Sequence, residues 1–219
     1  SAASDVYKRQ RHAYLDVKNA RLDPSGTIKS MTALNPNGTT AAVIVTHRRV
    51  DLLKHSLEQV VNQTHPVDWV IVVDNGAQQE VQELLDDLAA DRAVYLPSKT
   101  NLGGAGGFAY GFLHALALGA DAIWCADDDG RPKDEHVLKE LYRVAEKHQL
   151  AEVSPVVANI DDPEKLAFPL RQGTTWHRRV DELEGDFLPQ YASLFNGALI
   201  SACLLYTSPS PRDGLISRM

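Results

Sequence analysis

Cysteine is nearly absent. Cys125 and Cys203 are the two in 219 residues, too few for a disulfide framework or a Cys-based zinc cluster. Long apolar runs are missing as well. No stretch reaches the roughly 18 uninterrupted apolar residues that a membrane-spanning helix needs. The richest segment, Gly111 to Ala126, is broken by His114 and Asp121. No dense Lys/Arg cluster is present, so the chain lacks the phosphate-neutralising surface that nucleic acid requires. Gly-x-x-x-x-Gly-Lys-Ser/Thr occurs nowhere, which excludes a P-loop. No internal repeat and no secretory leader are read, and His47, His114 and His177 lack metal-ligand spacing. A soluble, cytoplasmic protein is the expectation.

What is present is a core-forming composition. Hydrophobic residues make up 44%, and 22 Lys+Arg stand against 29 Asp+Glu for a net charge of −7. The length suits one domain. Residues 1–40 hold six Lys/Arg against three Asp/Glu, and 203–219 hold two against one, so residues 41–202 carry −11. Neither end shows apolar periodicity, and Ser208-Pro209-Ser210-Pro211 interrupts the last stretch. Both extremes resemble translated adapter tails, or equally a natural loose arm and tail. On that basis 1–40 is expected to be an arm, 41–202 the domain and 203–219 a tail, with Met31 a plausible natural start.

Between the ends, short apolar runs alternate with amphipathic stretches. Ala41 to Thr46, Trp69 to Val73, Ala93 to Leu96, Asp121 to Ala126 and Val153 to Ala158 read as buried strands. Asp51 to Gln63, a segment around Val81, Leu84, Leu85 and Leu88, Phe108 to Leu118, and Asp134 to His148 read as helices. Such alternation predicts an α/β fold with a mostly parallel sheet. Ligands of such sheets bind beyond the carboxyl ends of the strands.

The candidate residues cluster at those ends. Thr46-His47-Arg48-Arg49 offers a hydroxyl and two guanidinium groups suited to phosphate or base. Asp74-Asn75-Gly76 can accept from a nucleobase or a ribose, or simply cap the next helix. Asn101-Leu102-Gly103-Gly104-Ala105-Gly106-Gly107 lets backbone approach a ligand, or lets a helix lie close on the sheet. Asp127-Asp128-Asp129 crowds three carboxylates after a buried strand, an arrangement that calls for a cation. If the strand continued through them, Asp127 and Asp129 would point the same way and offer hard oxygens to Mg²⁺ or Mn²⁺. Asp161-Asp162-Pro163-Glu164 lacks a buried strand before it and reads as a surface turn.

In order and spacing, these motifs resemble the GT-A fold of the large inverting glycosyltransferase family 2. Ala151-Glu152-Val153-Ser154-Pro155, Leu166-Ala167-Phe168-Pro169-Leu170-Arg171 and Ser193-Leu194-Phe195-Asn196-Gly197 extend the likeness to the mycobacterial-type galactofuranosyltransferases of cell-wall galactan. The resemblance covers roughly residues 41–202. It implies UDP-galactofuranose as donor and a polyprenyl-diphosphate-linked glycan as acceptor, with membrane contact through that lipid. It also implies a uridine pocket of Thr46, Arg48 and Asp74, with Asn101 and Gly104 on the nucleotide sugar, Asp128 near the ribose, and Asp127 and Asp129 on the metal. Which Asp takes which role stays open. The family's catalytic base, a carboxylate, follows the Phe-Asn-Gly segment and is expected beyond Ala202, so the chain is expected to bind donor and transfer poorly or not at all. The alternatives are a nucleotidyltransferase, which usually carries its Gly-rich loop on the first strand, and a non-catalytic nucleotide-sugar-binding domain.

Overall fold

Every residue of Thr40–Thr46 is buried, and this strand is the middle of the protein. In the computed structural model, which describes residues 20–22, 28–30, 33–185, 187–188 and 196–207, ten strands are found. β1 (Ala20–Leu22) and β2 (Ile28–Ser30) form a small antiparallel hairpin within the expected arm. β3 (Thr40–Thr46), β4 (Trp69–Asp74), β5 (Ala93–Pro97) and β6 (Ala122–Asp127) are mutually parallel. β7 (Glu152–Val153) and β10 (Leu199–Ser201) complete a six-stranded sheet in the order β5-β4-β3-β6-β10-β7, with β10 antiparallel to both neighbours. β8 (Lys165–Gln172) and β9 (Thr175–Arg179) form a separate hairpin. The helices are α1 (Val50–Val61), α2 (Gln79–Ala89), α3 (Gly103–Ala117), α4 (Val137–His148) and α5 (Cys203–Thr207).

The period-2 alternation of a strand splits the core in two. Ala42, Ile44, Val70, Val72 and Trp124 meet Leu53 and Leu57 of α1, Val81 and Leu85 of α2, and Leu138 and Tyr142 of α4. Ala41, Val43, Val45, Ile71, Val73 and Ile123 face the other way, onto Phe108 and Ala115 of α3. A sheet covered on both faces explains why its parallel strands read as unbroken apolar runs.

Several boundaries differ from expectation for identifiable reasons. α3 begins at Gly103 rather than Phe108, taking the Gly-rich segment into the helix, where Gly107 and Gly111 pack closely on the sheet. A Cβ at Gly107 would meet Val45 Cγ1 at 2.6 Å, and one at Gly111 would meet Val43 Cγ1 at 2.4 Å. α4 begins at Val137 rather than Asp134, whose carboxylate accepts from the His136 N–H at 2.9 Å. The strand expected over Val153 to Ala158 stops at Val153. Pro155 carries no N–H for a ladder, and downstream only Ala158 makes a bridge, to Leu166. Packing also starts upstream of residue 41, since Leu34 is buried and donates its N–H to Leu150 O. The expected tail opens with α5, while its remainder, 208–219, and the first part of the arm, 1–19, lie outside the described residues.

The close approach of α3 is testable. Gly107→Ala places a methyl into Val45 and should destabilise the fold by about 1–3 kcal/mol. Gly104→Ala, where a Cβ meets nothing within 4 Å, should leave stability unchanged or raise it by about 0.5 kcal/mol. Urea unfolding of the two variants checks the contrast.

Candidate functional site

Register levels the candidate residues. Thr46 pairs with Asp74 across β3 and β4, and Val45 pairs with Asp127 across β3 and β6. All three strands are parallel, so their polar ends emerge side by side at the carboxyl edge of the sheet.

The acidic loop follows β6. The strand ends at Asp127, so the condition for Asp127 and Asp129 to share a strand face is not met. Asp128 turns inward instead and is 1% exposed. Its Oδ2 accepts from the Thr46 hydroxyl at 2.8 Å. Its Oδ1 lies 3.0 Å from a guanidinium nitrogen of Arg49 without receiving a directed hydrogen bond. The same guanidinium donates to Asp129 Oδ2 at 2.9 Å. Arg49 therefore bridges two of the three carboxylates. Ser56, buried on α1, donates to the carbonyls of Asp127 and Gly130 at 3.2 and 3.0 Å and fixes the loop backbone. Gln63 fixes the far end, donating to Asp134 O at 2.8 Å and accepting from the Leu138 N–H at 2.9 Å.

Crowding shows in the titration of the loop. Burial, with the charges of Asp129 and Asp128 added, pushes the Asp127 carboxyl up to about 6 despite Arg49 nearby. Burial also raises Asp128, against the Thr46 hydroxyl and Arg49, which favour its ionised form. Among the described residues no three His, Cys, Asp or Glu side chains converge into a closed metal site. Asp127 and Asp129 can supply part of an oxygen shell, leaving the remaining positions to a ligand's own oxygens and water.

The strand-two end is structural as well as positional. Asp74 is fully buried; its carboxylate accepts from the N–H groups of Gly76 at 2.7 Å and Gln78 at 2.6 Å, and from the Tyr95 hydroxyl at 3.0 Å. Those bonds make it the organiser of the turn into α2, one of the two roles the sequence left open. Burial and the Asp74 carboxylate together push the Tyr95 hydroxyl up to about 12. Arg48 takes a left-handed φ of 58°, and its Cγ lies 3.1 Å from where a Gly76 Cβ would be. The strained turn thus lays Arg48 over the end of β4 and aims Arg49 at the acidic loop.

The Gly-rich segment divides in two. Asn101 Oδ1 accepts from the Gly103 N–H at 2.8 Å, and Asn75 ties the segment to β4 by accepting from the Leu102 N–H at 3.1 Å. Gly103 and Gly104 face open space, whereas Gly107 lies against the sheet. Close packing on the sheet holds at Gly107, while Gly103 and Gly104 leave their backbone open. Asp161 and Asp162 form the expected surface turn, their N–H groups donating to Asn159 Oδ1.

Sequence reasoning singled out Thr46, Arg48, Asp74, Asn101, Gly104, Asp127, Asp128 and Asp129. It named Arg49 and Asn75 within their strand-end motifs, and it passed over Ser56 and Tyr95. Ser56 had a signal, a polar residue on the stripe of Leu53, Leu57 and Val60 that α1 buries.

The family model described as glycosyl transferase family 2 matches residues 41–200. The chain belongs to glycosyl transferase family 2. This family 2 chain is 56% identical over 168 residues to galactofuranosyltransferase GlfT1 of Mycolicibacterium smegmatis, covering 74% of this chain and 55% of the relative. It is 54% identical over 170 residues to GlfT1 of Mycobacterium tuberculosis, covering 75% of this chain and 56% of the relative. The chain thus spans about half the length of these relatives. Among solved structures, S. aureus TarS 1-349 aligns with a TM-score of 0.52 at 14% identity, over 76% of this chain and 48% of that one. The same protein in complex with UDP-GlcNAc aligns with a TM-score of 0.54 at 13% identity, over 76% and 46%. At such identities the likeness establishes the fold, which is the expected GT-A arrangement.

The raised Asp127 carboxyl has a consequence for stability. Its folded value of about 6 exceeds the ordinary 3.8, so the folded state holds the proton more tightly than the unfolded chain. The metal-free protein is then at its best, in this respect, below pH 3.8 and loses stability as pH rises to about 6. Asp127→Asn should remove that loss, gaining about 1–2 kcal/mol relative to wild type at pH 7.5 and nothing at pH 4, after allowance for solvent screening. Denaturant melts in chelator at the two pH values check it.

Proposed function

We propose that this chain is the donor-binding part of an inverting galactofuranosyltransferase. It takes galactofuranose from UDP-galactofuranose to a polyprenyl-diphosphate-linked glycan in cell-wall galactan synthesis. The observation that carries the chemistry is the alignment of Thr46, Asp74 and Asp127 at one sheet edge beside Asp128 and Asp129. Identity of 54–56% to the GlfT1 proteins supports the choice of sugar.

In this reading Arg48 and the Asp74 turn border the uridine, and the Thr46 hydroxyl orients Asp128 beside the ribose. The Asn101–Gly104 segment supplies open backbone to the sugar diphosphate. Asp127 and Asp129 hold Mg²⁺ or Mn²⁺, whose donor set of hard carboxylate oxygens they fit. The cation supplies Lewis-acid neutralisation of the charge that grows on the departing UDP. The raised Asp127 carboxyl and the shortage of counter-charge around the loop fit that role, because a cation relieves both. Among the described residues no helix is long and apolar enough to cross a membrane; the lipid acceptor places the reaction at the inner face of the plasma membrane.

Calorimetric titration of the chain with UDP tests the reading. Binding in Mn²⁺ should be at least about tenfold tighter than in chelator, which is about 1.4 kcal/mol. Asp127→Asn should abolish that difference while leaving the fold intact by circular dichroism. Equal binding with and without Mn²⁺ overturns the reading. A preference for UTP over UDP would instead favour nucleotidyl transfer.

A further inference from the structure

Arg49 occupies an unusual position for a cation. It stands at the N-cap of α1, yet its side chain makes no capping bond. Its guanidinium forks across Asp128 and Asp129 at 3.0 and 2.9 Å. The two partners differ sharply, Asp128 being 1% exposed and Asp129 55%. The grip on the buried partner is incomplete, since Asp128 Oδ1 is sealed from solvent without a directed hydrogen bond. The Arg49 side chain is half exposed, at 49%, so it has room to move outward.

We propose that Arg49 is an internal counter-cation that holds the acidic loop in the donor-free protein and hands over to the donor diphosphate when a divalent cation takes the carboxylates. The handover rests on matched chemistry. A guanidinium fork fits two phosphate oxygens as well as it fits two carboxylate oxygens, whereas a hard divalent cation gains from carboxylates that Arg49 vacates. Without nucleotide, a cation must displace Arg49 and leave it beside a second positive charge. With nucleotide, Arg49 gains a diphosphate partner in the same exchange. Cation and UDP therefore bind as a cooperative pair, and each raises the other's affinity by the same factor. Asp127, not gripped by Arg49, remains available to the first incoming cation. The turn at Arg48, with φ at 58°, sets the direction of the Arg49 side chain and makes the exchange a rotation of one side chain rather than of the loop. The loop backbone stays fixed through Ser56.

This inference rests on the nucleotide-sugar reading, and its test separates the two. Mn²⁺ binding is measured by electron paramagnetic resonance, with and without saturating UDP, for wild type, Arg49→Ala and Arg49→Lys. For wild type, UDP should tighten Mn²⁺ binding by at least about tenfold. Arg49→Ala should bind Mn²⁺ alone more tightly, by about fivefold to tenfold, and UDP should then tighten it by less than about twofold. Arg49→Lys keeps the charge but not the fork, and should show a coupling between those of wild type and Arg49→Ala. A coupling factor unchanged in Arg49→Ala overturns the inference, even if Mn²⁺ alone binds more tightly, because removal of a nearby charge would do only that. No Mn²⁺ uptake by wild type in the presence of UDP overturns the nucleotide-sugar reading and the inference with it.

Discussion

Asp128 carries a carboxylate into the protein at 1% exposure, and the surrounding elements are arranged around the cost of that charge. An isolated buried carboxylate is strongly disfavoured unless it is paired and hydrogen-bonded. Here the Thr46 hydroxyl meets one oxygen and Arg49 approaches the other. Thr46 ends β3 and Arg49 follows three residues on, so the site depends on β3 and β6 lying next to each other in parallel register. That adjacency joins segments 80 residues apart in sequence. Ser56 then holds the loop so that the charge cannot relax outward.

The opposite face of the sheet imposes a second constraint of a different kind. α3 lies so close to β3 that glycine is the residue that fits at Gly107 and Gly111. This closeness brings the open start of the helix, at Gly103 and Gly104, up to the edge where β4 ends. Asn75 completes the placement by bonding the Leu102 N–H and lying 3.3 Å from Gly103 O. One run of glycines thus has two environments, open backbone at its start and helix-to-sheet contact further on.

The parallel half of the fold was legible because a sheet buried on both faces leaves continuous apolar runs, and each helix between them shows its stripe. β10 was not legible. Leu199–Ser201 is three residues long and pairs with strands distant in sequence, so no local period marks it. The hairpin of Lys165–Gln172 and Thr175–Arg179 escaped for another reason. It packs little of itself into the core, and its exposed Phe168 and Trp176 break the alternation of a half-buried strand. At the site, the residue types were readable but their partners were not. Thr46, Asp74 and Asp127 announced themselves by position at strand ends. The turn-organising bonds of Asp74 and the fork of Arg49 depend on side-chain direction, which spacing does not encode. Arg48 and Arg49 are neighbours, and a positive φ at the first sends them to different strands' ends.

Charge closes the account of the site. Residues 41–202 carry −11, and three of those carboxylates stand in sequence at the edge that gathers the candidate residues. An anionic diphosphate approaching such a surface is repelled unless positive charge stands between them. Arg48 and Arg49 supply two such charges, but Arg49 is engaged with Asp128 and Asp129. With Arg49 so engaged, an incoming diphosphate still faces Asp127 without a counter-charge of its own. In the proposed reading, a divalent cation at Asp127 and Asp129 would resolve both problems together, because it would neutralise the carboxylates and release the guanidinium. The acidity of the domain is then no obstacle to binding an anion. On that proposal it is the reason that donor binding would require a cation.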